Sequence, residues 1–311
     1  MQTTRLGPDG PQVTNLCVGT SPLGGMPRIY GYDVDAERAV ATVRRFLESP
    51  ITFLDTSNEY GDGESELRIG AALQAGATLP QGVVIASKAD PRRGVPVFDG
   101  ARVRESFRES VGRLGVGRLD VYYLHDPERF DFEYLTMRSG AVDAMRELKA
   151  EGLVGLIGVA GGSIPELHRY LDLELFDVVL NHNQYTLLDR SADSLIDRAV
   201  ASGVAFVNAA PYASGILAKP LAAGARYKYR APDPAIVETV RWLNDVCASF
   251  GVPLAALAVQ FSTRDPRVSS TVVGVSSPER IDALVQNEAI ELPQELWDAV
   301  EARLRPPSST G

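Results

Sequence analysis

The chain has 311 residues, of which 45% are hydrophobic and 23% charged, and its formal net charge is −9 at pH 7. This composition is that of a globular protein with a full-sized core, and the length allows two domains or one large barrel. The negative charge argues against nucleic acid or an anionic membrane surface as a partner. No apolar run is long enough to span a bilayer, and residues 1–6 lack the core of a signal peptide, so we expect a cytoplasmic protein.

Cysteines and histidines are few. Cys17 and Cys247 lie far apart without a CxxC or CxxH neighbour, which indicates reduced, buried thiols. His125, His168 and His182 are the only histidines, and they are too few to predict a metal cluster. We therefore expect no metal.

The predicted elements alternate along the chain. Gly7-Pro8-Asp9-Gly10-Pro11 is a turn signal between two extended pieces and predicts an N-terminal hairpin. Short apolar runs then predict strands at 16–20, 51–54, 83–88, 120–125, 156–160, 178–181, 205–209 and 270–275. Amphipathic patterns predict helices at 35–47, 64–73, 99–114, 142–151, from 163 onward, and at 191–201, 235–250, 278–285 and 292–304. Residues 305–311 are a Pro/Ser tail that we expect to fray.

Eight apolar strands alternating with helices predict a parallel sheet with helical crossovers. Eight such units in roughly 250 residues favour a (β/α)8 barrel with the hairpin before it and an extra helix after it. The alternative is a doubly wound open sheet, which is disfavoured because Gly19-Thr20-Ser21-Pro22-Leu23-Gly24-Gly25 is not a GxGxxG motif. No linker divides the sequence, so we treat residues 1–311 as one α/β domain.

Polar residues end three consecutive predicted strands. Asp55, Lys88 and His125 end the second, third and fourth strands, and Tyr60 follows the second. The carboxyl ends of barrel strands converge on one mouth, and neighbouring strands lie about 4.8 Å apart, so the four side chains are expected to share a pocket. Taken alone, the loop from Asp55 to Tyr60 is equally well interpreted as a capped turn with a solvated phenol.

These residue types together suit proton transfer at a carbinol oxygen. Tyr60 has a reference pKa of about 10, which the ammonium of Lys88 is predicted to lower. Asp55 would keep Lys88 charged, and His125 would orient the substrate oxygen. The set offers no obvious nucleophile or metal ligands, which disfavours a hydrolase or lyase, and it suits a reaction whose hydride is carried by a nicotinamide.

The pattern Asp55-x4-Tyr60-Gly61, with Lys88 and His125 downstream, resembles the tetrad of the aldo-keto reductase family. The motif Asp-Thr-Ser-x-x-Tyr-Gly-x-Gly-x-Ser-Glu at residues 55–66 is highly specific, and the resemblance covers essentially the whole chain. Segments 123–127, 185–189, 214–217 and 227–232 are similar to a branch containing D-threo-aldose 1-dehydrogenases, L-fucose and L-galactose dehydrogenases and pyridoxal 4-dehydrogenases. The resemblance implies oxidation of a sugar hemiacetal to a lactone with NAD or NADP.

The resemblance also implies the cofactor contacts. They are Gly19, Thr20, Asp55, His182, Ser214, Gly215, Leu217, Gly274, Ser276, Ser277 and Arg280. Ala160-Gly161-Gly162 departs from the family's usual Ser-Asn grip on the carboxamide, and His182 stands where a glutamine is usual. Arg280 matches the phosphate arginine and favours NADP, whereas Gly274 in place of the usual lysine leaves NAD open.

Several assignments have two interpretations. His182 is either a cofactor contact or a core residue. The loop 212–234 is either a lid over the pyrophosphate or a solvated surface loop. Its basic residues are Lys219, Arg226, Lys228 and Arg230. Ser276 and Ser277 either cap the last helix or leave its N-terminus to a phosphate.

The main alternative to an enzyme is a nucleotide-binding regulatory protein, for which the family offers channel subunits as a precedent. The retained Lys88 beside Tyr60 argues against it. The pocket walls come from the loops at 22–32, 91–99, 127–137 and 212–229, so the sequence indicates a small-molecule substrate, with an aldose favoured over other aldehydes or pyridoxal. The sequence assigns no oligomeric state.

Overall fold

Eight parallel strands close into a barrel in the computed structural model, which describes residues 1–74, 79–219, 221, 226–228 and 230–304. A hairpin of two strands, β1 (Thr3–Arg5) and β2 (Gln12–Thr14), precedes the barrel. The eight barrel strands are β3 (Leu16–Gly19), β4 (Phe53–Asp55), β5 (Val84–Ala89), β6 (Leu119–His125), β7 (Val154–Gly161), β8 (Val178–His182), β9 (Ala205–Ala209) and β10 (Val268–Gly274). Strands β3 to β10 follow one another around the barrel, and β10 pairs with β3. The predicted barrel is confirmed and the open-sheet alternative is wrong. The predicted tail, 305–311, lies outside the described residues.

Side chains fill the barrel. The inward-facing residues form one apolar cluster, to which Cys17, Phe53, Val121 and Val207 belong. The outward-facing residues join the helices in a second, larger cluster. Because both faces of each strand are covered, the strands appear in the sequence as continuous apolar runs rather than as alternating patterns.

The hairpin of β1 and β2 closes the amino-terminal end of the barrel. Leu6 and Val13 are fully buried and belong to the interior cluster. The backbone N–H of Leu6 donates to the carbonyl of Pro11 at 3.0 Å, which holds the turn together. The carboxyl ends of the strands are therefore the open end, where barrels of this kind place their functional groups.

The helices surround the barrel. They are α1 (Pro27–Tyr30), α2 (Ala36–Leu47), α3 (Glu64–Gln74), α4 (Gly100–Leu114), α5 (Phe132–Thr136), α6 (Ala141–Ala150), α7 (Ile164–Leu171), α8 (Asp193–Ala201), α9 (Pro234–Ser249), α10 (Leu254–Thr263), α11 (Pro278–Ala289) and α12 (Gln294–Leu304). Asp35 and Asp99 cap α2 and α4 by accepting from backbone N–H groups three residues later. Such caps explain why the starts of these helices were well predicted.

Three of these helices were not predicted. Helix α10 is apolar on almost every side and mostly buried, so no 3.6-residue period stands out in its sequence. Helices α1 and α5 are short and lie in loops of the mouth. In the part of the chain that the structure describes, no single helix is long and apolar enough to cross a membrane. Helices α9 and α10 meet that length and composition only when they are taken together, and the pair is bent by 100°.

Helices α3 and α4 approach closely at a glycine. A Cβ atom at Gly70 would lie 2.0 Å from the carbonyl oxygen of Arg113, so only glycine fits there. One turn earlier, the buried carboxylate of Glu66 accepts from the Ser87 hydroxyl at 2.6 Å and from Arg113 at 3.1 Å. These contacts fix α3, and with it the loop that carries Tyr60, against β5.

Two glycine substitutions test this packing. Gly70→Ala should lower the free energy of unfolding by about 1–3 kcal/mol or more, because the methyl group overlaps backbone that cannot move freely. Gly112, in α4, has no atom within 4 Å of a Cβ position. Gly112→Ala should therefore raise stability by roughly 0.5–1 kcal/mol, the usual gain in a helix interior. Urea unfolding measures both, and equal shifts in the same direction would contradict the packing.

Candidate active site

Asp55, Tyr60, Lys88 and His125 meet at the open end of the barrel. The ammonium of Lys88 donates to Asp55 Oδ1 at 2.6 Å and lies 3.2 Å from the Tyr60 hydroxyl. The rings of Tyr60 and His125 are almost perpendicular, with centroids 5.9 Å apart. Asp55 ends β4, Lys88 lies in β5 and His125 ends β6, so three neighbouring strands bring them together.

The Lys88 ammonium is fully buried and held by three partners. Besides Asp55 and Tyr60, it donates to the carbonyl oxygen of Thr56 at 2.7 Å. The strand that carries Asp55 is itself held by Thr20, whose hydroxyl donates to the Asp55 carbonyl oxygen at 2.9 Å. The position of the ammonium is therefore set by backbone as well as by side chains.

The pKa of Tyr60 shifts in the direction opposite to the sequence-based prediction. Burial of the phenol raises its pKa well above the ordinary value, and the negative charges of Asp55 and Asp126 act in the same direction. Lys88 does not reverse this shift because its charge is already balanced by Asp55 at 2.6 Å. Tyr60 therefore keeps its proton at neutral pH and is placed to donate it.

Asp55 forms a buried ion pair with Lys88. Burial raises the pKa of Asp55, and the attraction of Lys88 opposes that shift. The ammonium contact at 2.6 Å favours the ionised carboxylate. The second oxygen, Asp55 Oδ2, is buried and has no hydrogen-bond partner among the described residues.

All four side chains line one cleft with a volume of about 1470 Å³. Typical small-molecule pockets measure about 300–1,000 Å³, so this cleft has room for a dinucleotide together with a substrate. It is also lined by most residues of the predicted cofactor set, namely Gly19, Asp55, His182, Ser214, Gly215, Gly274, Ser276 and Arg280.

Thr20, Leu217 and Ser277 are absent from the cleft lining, and their contact with the cofactor stays a prediction. The Thr20 hydroxyl is buried and bonded to the Asp55 carbonyl and to Ser65. Leu217 is fully buried in the hydrophobic core. Ser277 is buried at the N-cap position of α11, without a side-chain capping bond.

Comparison with known proteins identifies the family. The pattern of the Aldo/keto reductase family matches residues 15–305. The chain belongs to the aldo-keto reductase family. It is 32% identical over 327 residues to D-threo-aldose 1-dehydrogenase of Pseudomonas sp, covering 96% of each chain. It is 30% identical to L-galactose dehydrogenase of Arabidopsis thaliana, covering 97% of this chain and 93% of that one, and 30% identical to pyridoxal 4-dehydrogenase of Microbacterium luteolum, covering 96% of each.

Solved structures agree with the assignment. An aldo-keto reductase from Bacillus halodurans in its holo form superimposes with a TM-score of 0.79 at 26% identity, covering 98% of this chain and 97% of that one. A glycerol dehydrogenase from Gluconobacter oxydans has a TM-score of 0.77 at 19% identity, covering 99% and 98%, and shares the fold. Aldo-keto reductases use NAD(P)H, and this chain is an NAD(P)-dependent oxidoreductase.

The cleft fits the nicotinamide dinucleotide of an aldo-keto reductase. Lys219, Arg226 and Arg280 line it, and these cations in an acidic chain suit the phosphates. The unpartnered Asp55 Oδ2 is an acceptor for a hydroxyl group, and the buried Asn183 Oδ1, also unpartnered among the described residues, is an acceptor for an amide. Asn183 lines the same cleft.

The glycines of Ala160-Gly161-Gly162 make room for a carboxylate. Glu128 Oε1 accepts from the backbone N–H of Gly162 at 2.6 Å and of Ser163 at 3.1 Å. A Cβ atom at Gly161 would lie 2.5 Å from Glu128 Oε2. Glu128 thus supplies the N-terminal cap of α7 that the Ser163 side chain does not supply.

His182 faces the cleft. Its Nδ1 lies 3.0 Å from the side-chain nitrogen of Asn183, and burial lowers its pKa, so the ring is neutral. A Cβ atom at Gly162 would lie 3.1 Å from Nε2 of His182. This second glycine therefore leaves space for the His182 ring in the cleft wall.

The basic residues of the loop after β9 divide into two groups. Lys219 and Arg226 line the cleft, and Arg226 donates to the carbonyl oxygen of Ile29 at 3.1 Å, joining this loop to the one after β3. Lys228 instead pairs with Asp189, and Arg230, whose backbone bonds to that of Tyr227, is not part of the cleft lining. Only part of the predicted basic cluster thus faces the cleft, and Tyr229 lies outside the described residues.

Three potential metal-binding atoms lie near the tetrad, but their carboxylates are already engaged. Glu59, Asp90 and His125 each bring one such atom within 4.8 Å of the others. Glu59 pairs with Arg129 at 3.1 Å, and Asp90 accepts from Ser57 and from the Glu59 backbone. We assign no metal to this group.

Sequence reasoning missed Asp90 and Asp126 and assigned no role to Asn183. Each follows a barrel strand closely, which is the same signal that identified Asp55. Asp126 and Asn183 line the cleft, and Asp90 lies behind His125. A rule that considers every polar residue just after a strand would have found all three.

The buried ion pair predicts a non-additive response to mutation. Lys88→Met leaves the Asp55 charge buried without a partner and should lower the free energy of unfolding by about 3–5 kcal/mol. The double variant with Asp55→Asn removes that charge and should be more stable than Lys88→Met alone. Urea unfolding of the wild-type chain, the two single variants and the double variant measures these free energies. Arg93→Met, which removes an exposed pair with Asp62, should change little. Additive effects would show that the pair is not coupled.

Proposed function

We propose that the chain catalyses NAD(P)-dependent oxidation of an aldose at its hemiacetal carbon to a lactone, together with the reverse reduction. The observation that carries this proposal is the Lys88 ammonium between Asp55 and Tyr60, on the wall of a cleft that also presents His125. Two similar relatives are named for aldose and L-galactose dehydrogenation, which supports a sugar. Pyridoxal is the alternative, because a third is named for it.

Tyr60 is the group that exchanges a proton with the substrate oxygen. A nicotinamide held in the cleft would supply or accept the hydride at the carbon bonded to that oxygen. In reduction, the Tyr60 hydroxyl donates its proton to the carbonyl oxygen. In oxidation, the substrate hydroxyl gives its proton to an ionised Tyr60. Because burial raises the pKa of Tyr60, oxidation should accelerate as pH rises, whereas reduction should stay constant through neutral pH.

Asp126 is the group that we assign to sugar recognition. It lines the cleft, and its Oδ1 lies 3.8 Å from His125 Nε2. Its backbone is in the left-handed region, with φ of 43°, which turns this residue out of the β6 direction. A carboxylate next to the reacting oxygen suits a neighbouring hydroxyl of a sugar, which a simple aldehyde lacks.

For the cofactor we propose NADP, with NAD as the alternative. Arg280 lies in the first turn of α11 and lines the cleft, where its guanidinium suits a 2′-phosphate. Gly274 at the end of β10 adds no second cation. Both cofactors therefore belong in the first activity screen, with aldoses, pyridoxal and simple aldehydes as substrates.

Tyr60→Phe tests the proposed chemistry. Loss of the hydroxyl should lower kcat by at least about 100-fold, the usual range for proton transfer in catalysis, while the reduced cofactor still binds. Absorbance of the reduced cofactor follows turnover, and its fluorescence follows binding. Tyr122→Phe, which removes another buried phenol hydroxyl, is the matched control and should keep activity. A fully active Tyr60→Phe enzyme would refute the assignment.

Asp126→Gly tests the proposed sugar contact. Glycine keeps the left-handed backbone without strain and removes the carboxylate. The KM for aldoses should rise at least about tenfold, the value of one charged hydrogen bond, and the KM for a short aliphatic aldehyde should change little. Glu174→Gly, also an acidic residue with positive φ but outside the cleft, is the control. Equal losses for both substrates would argue against a role in sugar recognition.

A further inference from the structure

A buried carboxylate lies directly behind His125. Asp90 follows β5 and is fully buried. Its Oδ1 is 2.7 Å from His125 Nδ1. Its Oδ2 accepts from the Ser57 hydroxyl at 2.5 Å and from the backbone N–H of Glu59 at 3.0 Å. Both oxygens are thus engaged, and His125 is one of their partners.

The backbone of Asp90 is held as firmly as its side chain. Its N–H donates to the Ser106 hydroxyl at 3.2 Å, and its carbonyl oxygen accepts from Arg102 Nε at 2.8 Å. Both partners lie on α4, the helix behind β5. The carboxylate therefore has a fixed direction, which is what a group that orients another side chain needs.

The contact decides which nitrogen of His125 bears a proton. An ionised carboxylate only accepts hydrogen bonds, so Nδ1 must carry a hydrogen and donate it to Asp90. The other nitrogen, Nε2, is then left for the cleft, which His125 lines. The same arrangement restrains the ring, because Asp90 is held by hydrogen bonds of its own and Nδ1 also lies 3.2 Å from the Ser57 hydroxyl.

We propose that Asp90 is a positioning residue for the reaction: by accepting the Nδ1 hydrogen it holds the His125 ring and reserves Nε2 for the substrate oxygen. This inference deepens the proposed function and rests on it. Asp90 does not touch the substrate, because His125 stands between it and the cleft. Its effect on the reaction is exerted through the position and protonation of His125.

The charges around His125 support a protonated ring. Burial opposes the charged form, but Asp90 and Asp126 outweigh it, and the pKa of His125 is raised above its ordinary value. Burial likewise opposes ionisation of Asp90, yet His125 lowers its pKa below the ordinary value. The titratable and charged groups that surround the pair are Asp55, Glu59, Tyr60, Lys88, Arg102, Asp126, Arg129 and His182. A protonated Nε2 donates to a carbonyl oxygen.

Nuclear magnetic resonance of the histidine nitrogens tests this directly. The chain has three histidines, so a chain labelled with ¹⁵N-histidine gives few signals. In the wild-type enzyme, His125 Nδ1 should stay protonated throughout the titration. In Asp90→Asn, the pKa of His125 should fall by at least about one unit, a tenfold change in proton affinity. Asp172→Asn, an exposed carboxylate paired with Arg198, is the matched control.

Kinetics provide the second measurement. Asp90→Asn should lower kcat about 10–100-fold, by analogy with the loss of a carboxylate that orients a metal-binding histidine. The KM should change by less than about threefold, because substrate contacts are kept. The cofactor affinity should match that of Asp172→Asn. A loss of kcat without any change in the His125 titration would overturn the proposal, since it would indicate only a structural role.

The two measurements separate this proposal from the proposed function. If no aldose is turned over, the proposed function fails, and the nuclear magnetic resonance titration still decides the Asp90 contact. If Asp90→Asn does not fold, the wild-type titration remains decisive. An unprotonated Nδ1 on His125 in the wild-type enzyme would overturn the proposal.

Discussion

The buried pair between Lys88 and Asp55 is the contact on which the rest of the site depends. Lys88, which is 1% exposed, is tolerated inside the protein because its ammonium hydrogens reach Asp55, the Thr56 carbonyl and Tyr60. Removing a charge from water is costly, and these partners offset the cost only while their geometry holds. The barrel supplies that geometry, since β4 and β5 are adjacent and hydrogen-bonded along their length. The pair in turn fixes where the Tyr60 hydroxyl lies.

The electrostatic surroundings give Tyr60 and His125 a common property. Burial and nearby carboxylates raise the pKa of Tyr60, and Asp90 and Asp126 raise the pKa of His125 despite its burial. Both groups therefore hold their protons more strongly than usual, and both line the same cleft. The charge of Lys88 does not reverse the pKa shift of Tyr60, because Asp55 balances that charge at close range. The ammonium instead helps to hold the Tyr60 hydroxyl in place. The site as a whole is disposed to stabilise a developing negative charge on a substrate oxygen.

The sequence predicted the barrel because its strands are buried on both faces, and it predicted the meeting of Asp55, Lys88 and His125 because parallel strands end at one mouth. The direction of a side chain is not readable from the sequence. Thr20 and Leu217 were predicted to contact the cofactor, but the Thr20 hydroxyl bonds to the Asp55 backbone and Leu217 packs into the core. Helix α10 was missed because an almost wholly apolar segment has no period to detect. The sign of the Tyr60 pKa shift depends first on the burial of the phenol and then on its distances to several charges, and the sequence contains neither.

The N-terminal hairpin also bears on the order in which the two reactants bind. Leu6 and Val13 pack into the far end of the barrel interior, so among the described residues that end is closed. The cofactor and the substrate then enter from the same side of the barrel, so the one that lies deeper must bind first and leave last. The closed end of the barrel therefore favours ordered binding of the two reactants over random binding. The hairpin has this effect although it contributes no group to the chemistry.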